Sequence, residues 1–260
     1  QHLVEHMIFL LFIFGLFVGS FLGVLADRIP AGRSVVFGRS SCDSCGKKIA
    51  WHDLFPLISF VWLGRKCRSC KKKISYRYVA IELLTGMVFG LVGWWFAQNY
   101  AQTFGFSYWI SLFYYLFIFS VGIVVCLSDL RYRVISNVVV FPAIFVSFVY
   151  ILFFSNALLF NHMLSALGAF LFFYTLYFVT KKKGMGFGDV ILAFFLGMFL
   201  GFPHILLALY VAFVTGSIVA LFLMVGRKWK LKDAVPFGPF LILGFSVAFF
   251  LGDYVLRLVL

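Results

Sequence analysis

From Val190 to Gly226 the chain runs for 37 residues without a lysine, arginine, aspartate or glutamate. A spanning helix needs about 20 apolar residues, so this run is too long for one helix and long enough for two. Gly201-Phe202-Pro203-His204 supplies the break between them. The rest of the chain has the same character. Its 260 residues are 63% hydrophobic and 12% charged, with a mean hydropathy of +1.05, far outside the composition of a globular domain. A water-soluble enzyme and a disordered chain are thereby excluded. The expected fold is an all-α polytopic membrane protein of about eight transmembrane helices, over 7–26, 78–97, 107–127, 134–154, 158–180, 186–201, 204–226 and 237–256. Polar stretches free of lysine and arginine separate the second span from the third, at Gln98–Thr103, and the fourth from the fifth, between Ser155 and His162. Residues 1–6 precede the first methionine, Met7, and are read as a remnant outside the fold. The first apolar segment is long enough to be retained as a span, so no separate cleavable signal is expected.

Placement of the basic residues orients the spans. Of the 22 lysines and arginines, 12 lie between Arg28 and Arg77, and the others fall at Arg131 and Arg133, Lys181–Lys183, Arg227–Lys232 and Arg257. Two spans separate each basic segment from the next, so all but Arg257 share one side, which the positive-inside rule assigns to the cytoplasm. Both termini then face outward. The net charge of +13 is therefore a topology signal and an attraction for anionic membrane lipid, not a nucleic-acid footprint. The chain divides into a first transmembrane helix at 7–26, a cytoplasmic module at 27–77 and a membrane-embedded domain at 78–260.

The module carries the strongest local motif, Cys42-x2-Cys45 and Cys67-x2-Cys70. Two such pairs, 21 residues apart, have the spacing of a four-thiolate zinc site, because each tight turn sets two sulfurs on one face of a tetrahedron. A reducing cytoplasm disfavours disulfides, and neighbouring Lys47, Lys48, Arg65, Lys66 and Arg68 favour thiolates. Four sulfurs leave no open coordination position, so the zinc is expected to be structural. A redox dithiol or free thiols are the alternative reading of the same pairs. Trp51, Leu54, Phe55, Phe60 and Trp62 lie between the pairs, and so small a module needs its metal for stability; some of these rings fit equally well as anchors in the membrane interface. Cys126, inside the third span, reads as packing, though it shares a helical face with Asp129.

Only nine aspartates and glutamates are present, and three sit at the membrane: Glu82, Asp129 and Asp189. Ionisable groups at such depth line polar cavities or form pairs, which makes them functional candidates. Topology places Asp129 and Asp189 at one membrane level. Asp189 follows Gly184-Met185-Gly186-Phe187-Gly188, a run that permits close backbone approach just before a helix. The bland alternative makes Asp189 a helix N-cap and Asp129 a partner of Arg131 or Arg133. If the two acids meet, they share a proton, and one carboxylate activates water while the other donates to a carbonyl oxygen. The same pair serves equally as a proton or cation site in a transporter, and the spacing does not choose between them.

Taken together, these residues resemble the bacterial type IV prepilin peptidase family, the leader peptidase/N-methyltransferases. The resemblance rests on Gly19-Ser20-Phe21-Leu22 through Arg28-Ile29-Pro30, the four cysteines, Pro56-Leu57-Ile58-Ser59, Ile74-Ser75 through Tyr78 and Glu82-Leu83-Leu84-Thr85-Gly86, Asp129, Gly184 to Asp189, and Pro236-Phe237-Gly238-Pro239-Phe240. It implies an inner-membrane aspartic protease that cuts the basic leader of prepilins and pseudopilins at the cytoplasmic face, with Asp129 and Asp189 as its catalytic pair. It also implies methylation of the new amino terminus from S-adenosylmethionine, with Arg77 and Glu82 as candidate residues; the other reading of these two is that they brace the module against the second span. The chain departs from the family pattern at Gly23, Asp53, Ile135-Ser136 and Ile191, which bears on substrate preference and methylation and leaves both aspartates intact. A coupled transporter and a noncatalytic assembly scaffold are the competing classes of function, and the sequence carries no clear inverted repeat of the transporter kind.

Overall fold

A computed structural model describes residues 2–35, 40–42, 44–100, 105–181, 185–225 and 236–259. The chain forms two compact units, Gln1–Val124 and Val125–Leu260. The first holds α1 (His2–Arg28), a 3-10 turn at Trp51–Leu54, the short α2 (Ile58–Trp62), α3 (Tyr76–Tyr100) and most of α4 (Phe106–Tyr132). After the end of α4, the second holds α5 (Asn137–Phe154), a 3-10 turn at Asn156–Leu158, α6 (Leu159–Val179), α7 (Phe187–Leu200), α8 (His204–Val225) and α9 (Gly238–Val259). Helices dominate because lipid offers no partner to a backbone polar group, and a helix satisfies its own. Among the described residues the only strand-like pairings are two isolated bridges, Ser41 with Lys48 and Lys66 with Lys73, one beside each cysteine pair.

Among the described residues, seven helices are long and apolar enough to cross a membrane. The expected eighth, α7, has 14 residues, which at 1.5 Å per residue is about 21 Å against a hydrocarbon core of about 30 Å. Gly201, at φ 69°, ends α7 where the glycine-proline break was expected. Asn161 and His162 do not form the expected loop; they lie in the first turn of α6. There Asn161 accepts the N–H of Phe202 at 2.7 Å and donates to its carbonyl at 3.1 Å. One side-chain amide thus satisfies the backbone exposed by the break. The basic residues Lys182, Lys183 and Arg227–Lys232, together with Gly184, lie outside the described residues. At the other end of the chain, α1 already begins at His2, upstream of the expected start.

Lipid tails are as apolar as leucine, so helices associate in the membrane through close packing of small residues. In the first unit, a Cβ on Gly15 would stand 2.8 Å from the Gly86 Cα, and one on Gly19 2.9 Å from the Glu82 Cα. Those glycines let α1 and α3 cross backbone to backbone. In the second unit Gly197 does the same for α7 against Ser165 and Ala166 of α6, and Gly244 for α9 against Ala208 of α8.

Candidate functional site

Asp129 occupies the last turn of α4 and Asp189 the first turn of α7, 5% and 8% exposed. They lie close enough for the charge of Asp129 to act on Asp189. Each carboxylate is held through Oδ2 by a glycine N–H: Gly238 donates to Asp129 at 2.9 Å, and Gly186 donates to Asp189 at 3.1 Å. The sequence explains both contacts. Pro236 and Phe237 lead into α9, whose first residue, Gly238, turns its N–H outward, where a helix start also favours an anion. A side chain there is excluded, because a Cβ on Gly238 would sit 2.7 Å from Asp129 Oδ2. Gly188 plays a parallel part: its missing Cβ leaves room for Ile135, 2.8 Å from where that atom would be. The segment that follows Asp129 is thereby drawn against the turn that carries Asp189.

Part of the bland reading of these acids holds. Asp189 does cap its own helix, from the third position of the first turn instead of the N-cap, which is Gly186. Arg133 adds a favourable positive field at Asp129. Gly238 carried no assigned role in the sequence, although a glycine directly after Pro-Phe at a helix start was a readable signal for close approach.

The four cysteines converge in the first unit, with their sulfurs all within 4.8 Å of one another. Two matching hairpins build the cluster. Cys42 N–H donates to the Lys47 carbonyl at 3.0 Å and Gly46 N–H returns to the Cys42 carbonyl at 2.9 Å; Cys67 N–H donates to Lys72 at 2.9 Å and Lys71 N–H returns to Cys67 at 3.0 Å. Gly46 and Lys71 take left-handed φ values of 69° and 58° at equivalent places. The Cys42–Cys70 separation of 3.8 Å matches the edge of a four-thiolate tetrahedron, which metal–sulfur bonds of about 2.3 Å set at about 3.8 Å. Backbone N–H groups of Ser44 and Cys45 lower the Cys42 thiol to about 6, and those of Cys70 and Ser69 lower Cys67. Cys70 is pushed up to about 11: the Lys72 N–H pulls it down, but burial and the other three sulfurs outweigh that pull. Four crowded sulfurs cannot all ionise alone, and a cation at the centre removes the conflict.

Arg77 and Glu82 lie at the root of this module. Arg77 grips Asp27 with both guanidinium nitrogens, at 2.8 and 3.2 Å, tying the start of α3 to the end of α1. Glu82, 8% exposed, accepts the Leu57 N–H at 3.0 Å and a hydrogen bond from Ser20. Both sets of contacts brace the module. Beside the cysteines, Arg68 forks onto Asp53 at 2.6 and 2.9 Å and holds its carboxyl below the usual range. Asp53 is one of the departures from the family pattern, and it has acquired a partner from the second cysteine loop. Gly23, another departure, has room for a side chain: a Cβ there would meet only Ile81, at 3.6 Å.

Two family descriptions match the chain: the bacterial peptidase A24 N-terminal domain over residues 13–96, and the type IV leader peptidase family over residues 116–221. A prepilin leader peptidase/N-methyltransferase of Pseudomonas aeruginosa is 29% identical over 271 residues, covering 94% of this chain and 90% of the relative. One from Bacillus subtilis is 30% identical over 252 residues, covering 96% of each. One from Vibrio cholerae is 26% identical over 262 residues, covering 95% and 98%. No solved structure matches.

Proposed function

Because the chain belongs to the prepilin leader peptidase/N-methyltransferase family, we propose that it removes the basic leader of type IV prepilins or pseudopilins with Asp129 and Asp189 as an aspartic pair. Membership makes it a membrane enzyme of the prepilin peptidase class; the pair, the membrane face and the second activity belong to the proposal. One observation carries the pair. Two buried carboxylates from helices far apart in sequence lie in one unit, near enough for the charge of Asp129 to act on Asp189, and each accepts a glycine N–H; at Gly238 the approach leaves no room for a side chain.

In the mechanism one carboxylate is ionised and takes a proton from water as the oxygen attacks the scissile carbonyl carbon. The other carries a proton and donates it to the carbonyl oxygen as the C–O double bond opens. Collapse of the tetrahedral intermediate re-forms the double bond, expels the amine and returns a proton to it. The glycine N–H groups hold both carboxylates in register for these transfers without competing as acids. The positive-inside distribution of lysine and arginine supports a cytoplasmic face for the cleavage. The apolar helix of the substrate enters laterally from lipid while its basic leader remains among the headgroups.

Zinc is the metal that suits Cys42, Cys45, Cys67 and Cys70: the donors are soft, their number is four and the sulfur spacing fits. It would lock the two hairpins together and leave no position for a substrate, a structural role. Methylation of the new amino terminus, with S-adenosylmethionine as donor of the methyl group, follows from the family. Arg77 and Glu82 remain its candidate residues, and their contacts with Asp27 and Leu57 support the other reading of them, as braces of the module.

The test is cleavage of a type IV prepilin by the purified protein in detergent, beside Asp129→Asn and Asp189→Asn, followed by mass spectrometry of the new amino terminus with S-adenosylmethionine present. Leader loss is expected with the wild type alone, at least ~1,000-fold faster than with either variant, with a methyl group added afterwards. Cleavage retained by both variants would overturn the aspartic pair. No leader loss from folded wild type would shift the reading to transport or scaffolding.

A further inference from the structure

The chain between the two cysteine pairs exposes apolar surface that neither metal binding nor cleavage explains. Trp51 is 72% exposed, Ile58 65%, Val61 77% and Trp62 83%. Contacts inside the first unit fix the depth at which these residues lie. The Asp27–Arg77 pair marks the level where α1 ends and α3 begins. Glu82 lies five residues farther along α3, and Ser20 seven residues back along α1, which at 1.5 Å per residue is about 7–10 Å below that level. To this depth the segment descends: Leu57 N–H reaches Glu82 at 3.0 Å. The Phe55 ring meets that of Phe17 at 5.9 Å, and Phe17 lies ten residues, about 15 Å, back from Asp27 along α1. The segment then climbs again, with Phe60 against Tyr76 at 5.6 Å.

Its backbone is equipped for such a place. Non-helical chain is tolerated at membrane depth only where its polar groups are satisfied. Asp53 N–H donates to Ala50, Ser59 to Phe55, Val61 to Leu57, Leu63 to Ser59 and Arg65 to Phe60, all between 2.9 and 3.1 Å. The Ser59 hydroxyl donates back to the Phe55 carbonyl at 2.7 Å. Leu57, held at φ 58° where a branched side chain is strained, finds its acceptor in Glu82. An ionisable group within a span is thus explained by the orphan N–H it receives.

We propose that residues 51–63 form a re-entrant segment that inserts α2 into the leaflet at which α1 ends, with Ile58, Val61 and Trp62 against lipid acyl chains. The occupant of this surface is the bilayer itself. The surface is continuous with two spans, and exposed Lys66, Arg68 and Lys71–Lys73 stand beside it, matching anionic headgroups. The consequence is that the four-thiolate cluster rides on the membrane surface. This inference stands whether or not the chemistry assigned to Asp129 and Asp189 is correct.

The full-length protein, reconstituted in vesicles of phosphatidylglycerol and brominated phosphatidylcholine, tests it through tryptophan fluorescence. The Trp62 signal is isolated as wild type minus Trp62→Phe, with Trp51→Phe as a second probe and unchanged metal content as the folding control. Lipid brominated near the headgroup end of its chains is expected to quench the Trp62 signal at least twofold, and more than lipid brominated near the tail ends, while aqueous iodide leaves it unchanged. Quenching by iodide without quenching by lipid would place α2 in water and overturn the proposal. Protection from both would mean that protein covers the segment, and would overturn it equally.

Discussion

Replacing Gly238 by alanine should slow leader cleavage about 10- to 100-fold while the protein stays folded. The added methyl would stand 2.7 Å from Asp129 Oδ2 and 3.3 Å from its Cβ and Cγ, where ordinary contact begins at 3.4 Å. Asp129 is 5% exposed, so it has no solvent to retreat into, and the end of α4 or the start of α9 must give way. A shift of about 0.7 Å lengthens the 2.9 Å N–H bond that fixes the carboxylate. A hydrogen bond to a charged group is worth about 1.5–3 kcal/mol. At about 1.4 kcal/mol per tenfold, its loss corresponds to a fall of about 10- to 150-fold in rate, and a displacement approaching 1 Å in a reacting group has an effect of the same order, about 100-fold. The loss should fall on kcat, because Gly238 positions Asp129 and makes no contact assigned to the leader. The assay is the initial rate of prepilin cleavage in detergent, with thermal unfolding measured beside it. Gly168→Ala, whose methyl meets nothing within 4 Å, controls for the general effect of alanine in a helix of the same unit. Should Gly238→Ala cleave within twofold of wild type, the glycine N–H does not hold Asp129 for catalysis and the proposed geometry is wrong.

Three further outcomes follow from the first unit. Elemental analysis of the purified protein should find about one zinc per chain, and Cys67→Ser should lose most of it, since three sulfurs cannot close the tetrahedron; zinc retained in full by that variant would contradict the four-thiolate site. Gly19→Ala should lower stability by about 1–3 kcal/mol through overpacking of the α1–α3 crossing, because its methyl would lie 2.8 Å from Thr85 Oγ1 and 2.9 Å from the Glu82 Cα; an unchanged unfolding midpoint would show that the crossing is loose. Arg68 holds the Asp53 carboxyl below its ordinary value, so the pair stabilises the module above the ordinary carboxylate pKa of about 3.9, and the contribution is lost as pH falls through the lowered value. In a His52→Gln background, which removes the imidazole 3.7 Å from Asp53, the stability difference made by Asp53→Asn should therefore be constant from neutral pH down to about pH 5 and shrink below it; a difference that widened on acidification would reverse the assigned sign. Arg68 is half exposed, so that difference is small throughout.

What the sequence made legible was local chemistry. Each cysteine pair closes within its own hairpin, so a two-residue spacing already implies the geometry that Cys42–Gly46 and Cys67–Lys71 adopt. The breaks between spans were readable where glycine or proline forced them, as at Gly201, and where polarity marked them, as after Phe154, although Asn161 and His162 at the far end of that polar stretch belong to α6, from which Asn161 caps the break at Phe202. The bounds of α7 were legible too, expected at 186–201 and found at Phe187–Leu200, because a glycine stands at each end.

The partners of Asp129 were hidden for a deeper reason. In a soluble protein the buried face of a helix is apolar and the other face polar, so periodicity reports the contact surface. In a membrane both faces are apolar: Leu196 is buried and Leu206 is 56% exposed, and nothing in their identity tells them apart. Hydrophobic pattern therefore cannot announce that Gly238, 109 residues away, would meet Asp129. Glycine retains the information that leucine loses, because inside a helix it is a close approach that makes its missing side chain necessary. Gly15 and Gly19 mark the α1–α3 crossing, Gly197 the α6–α7 contact, Gly244 the α8–α9 contact and Gly238 the carboxylate. Gly168, which faces open space, and Gly23, which has room for a methyl, show that a glycine is not by itself sufficient. A glycine becomes diagnostic when a second constraint accompanies it: a four-residue spacing to another small residue, as from Gly15 to Gly19, or a proline that fixes a helix start beside it, as Pro236 does for Gly238.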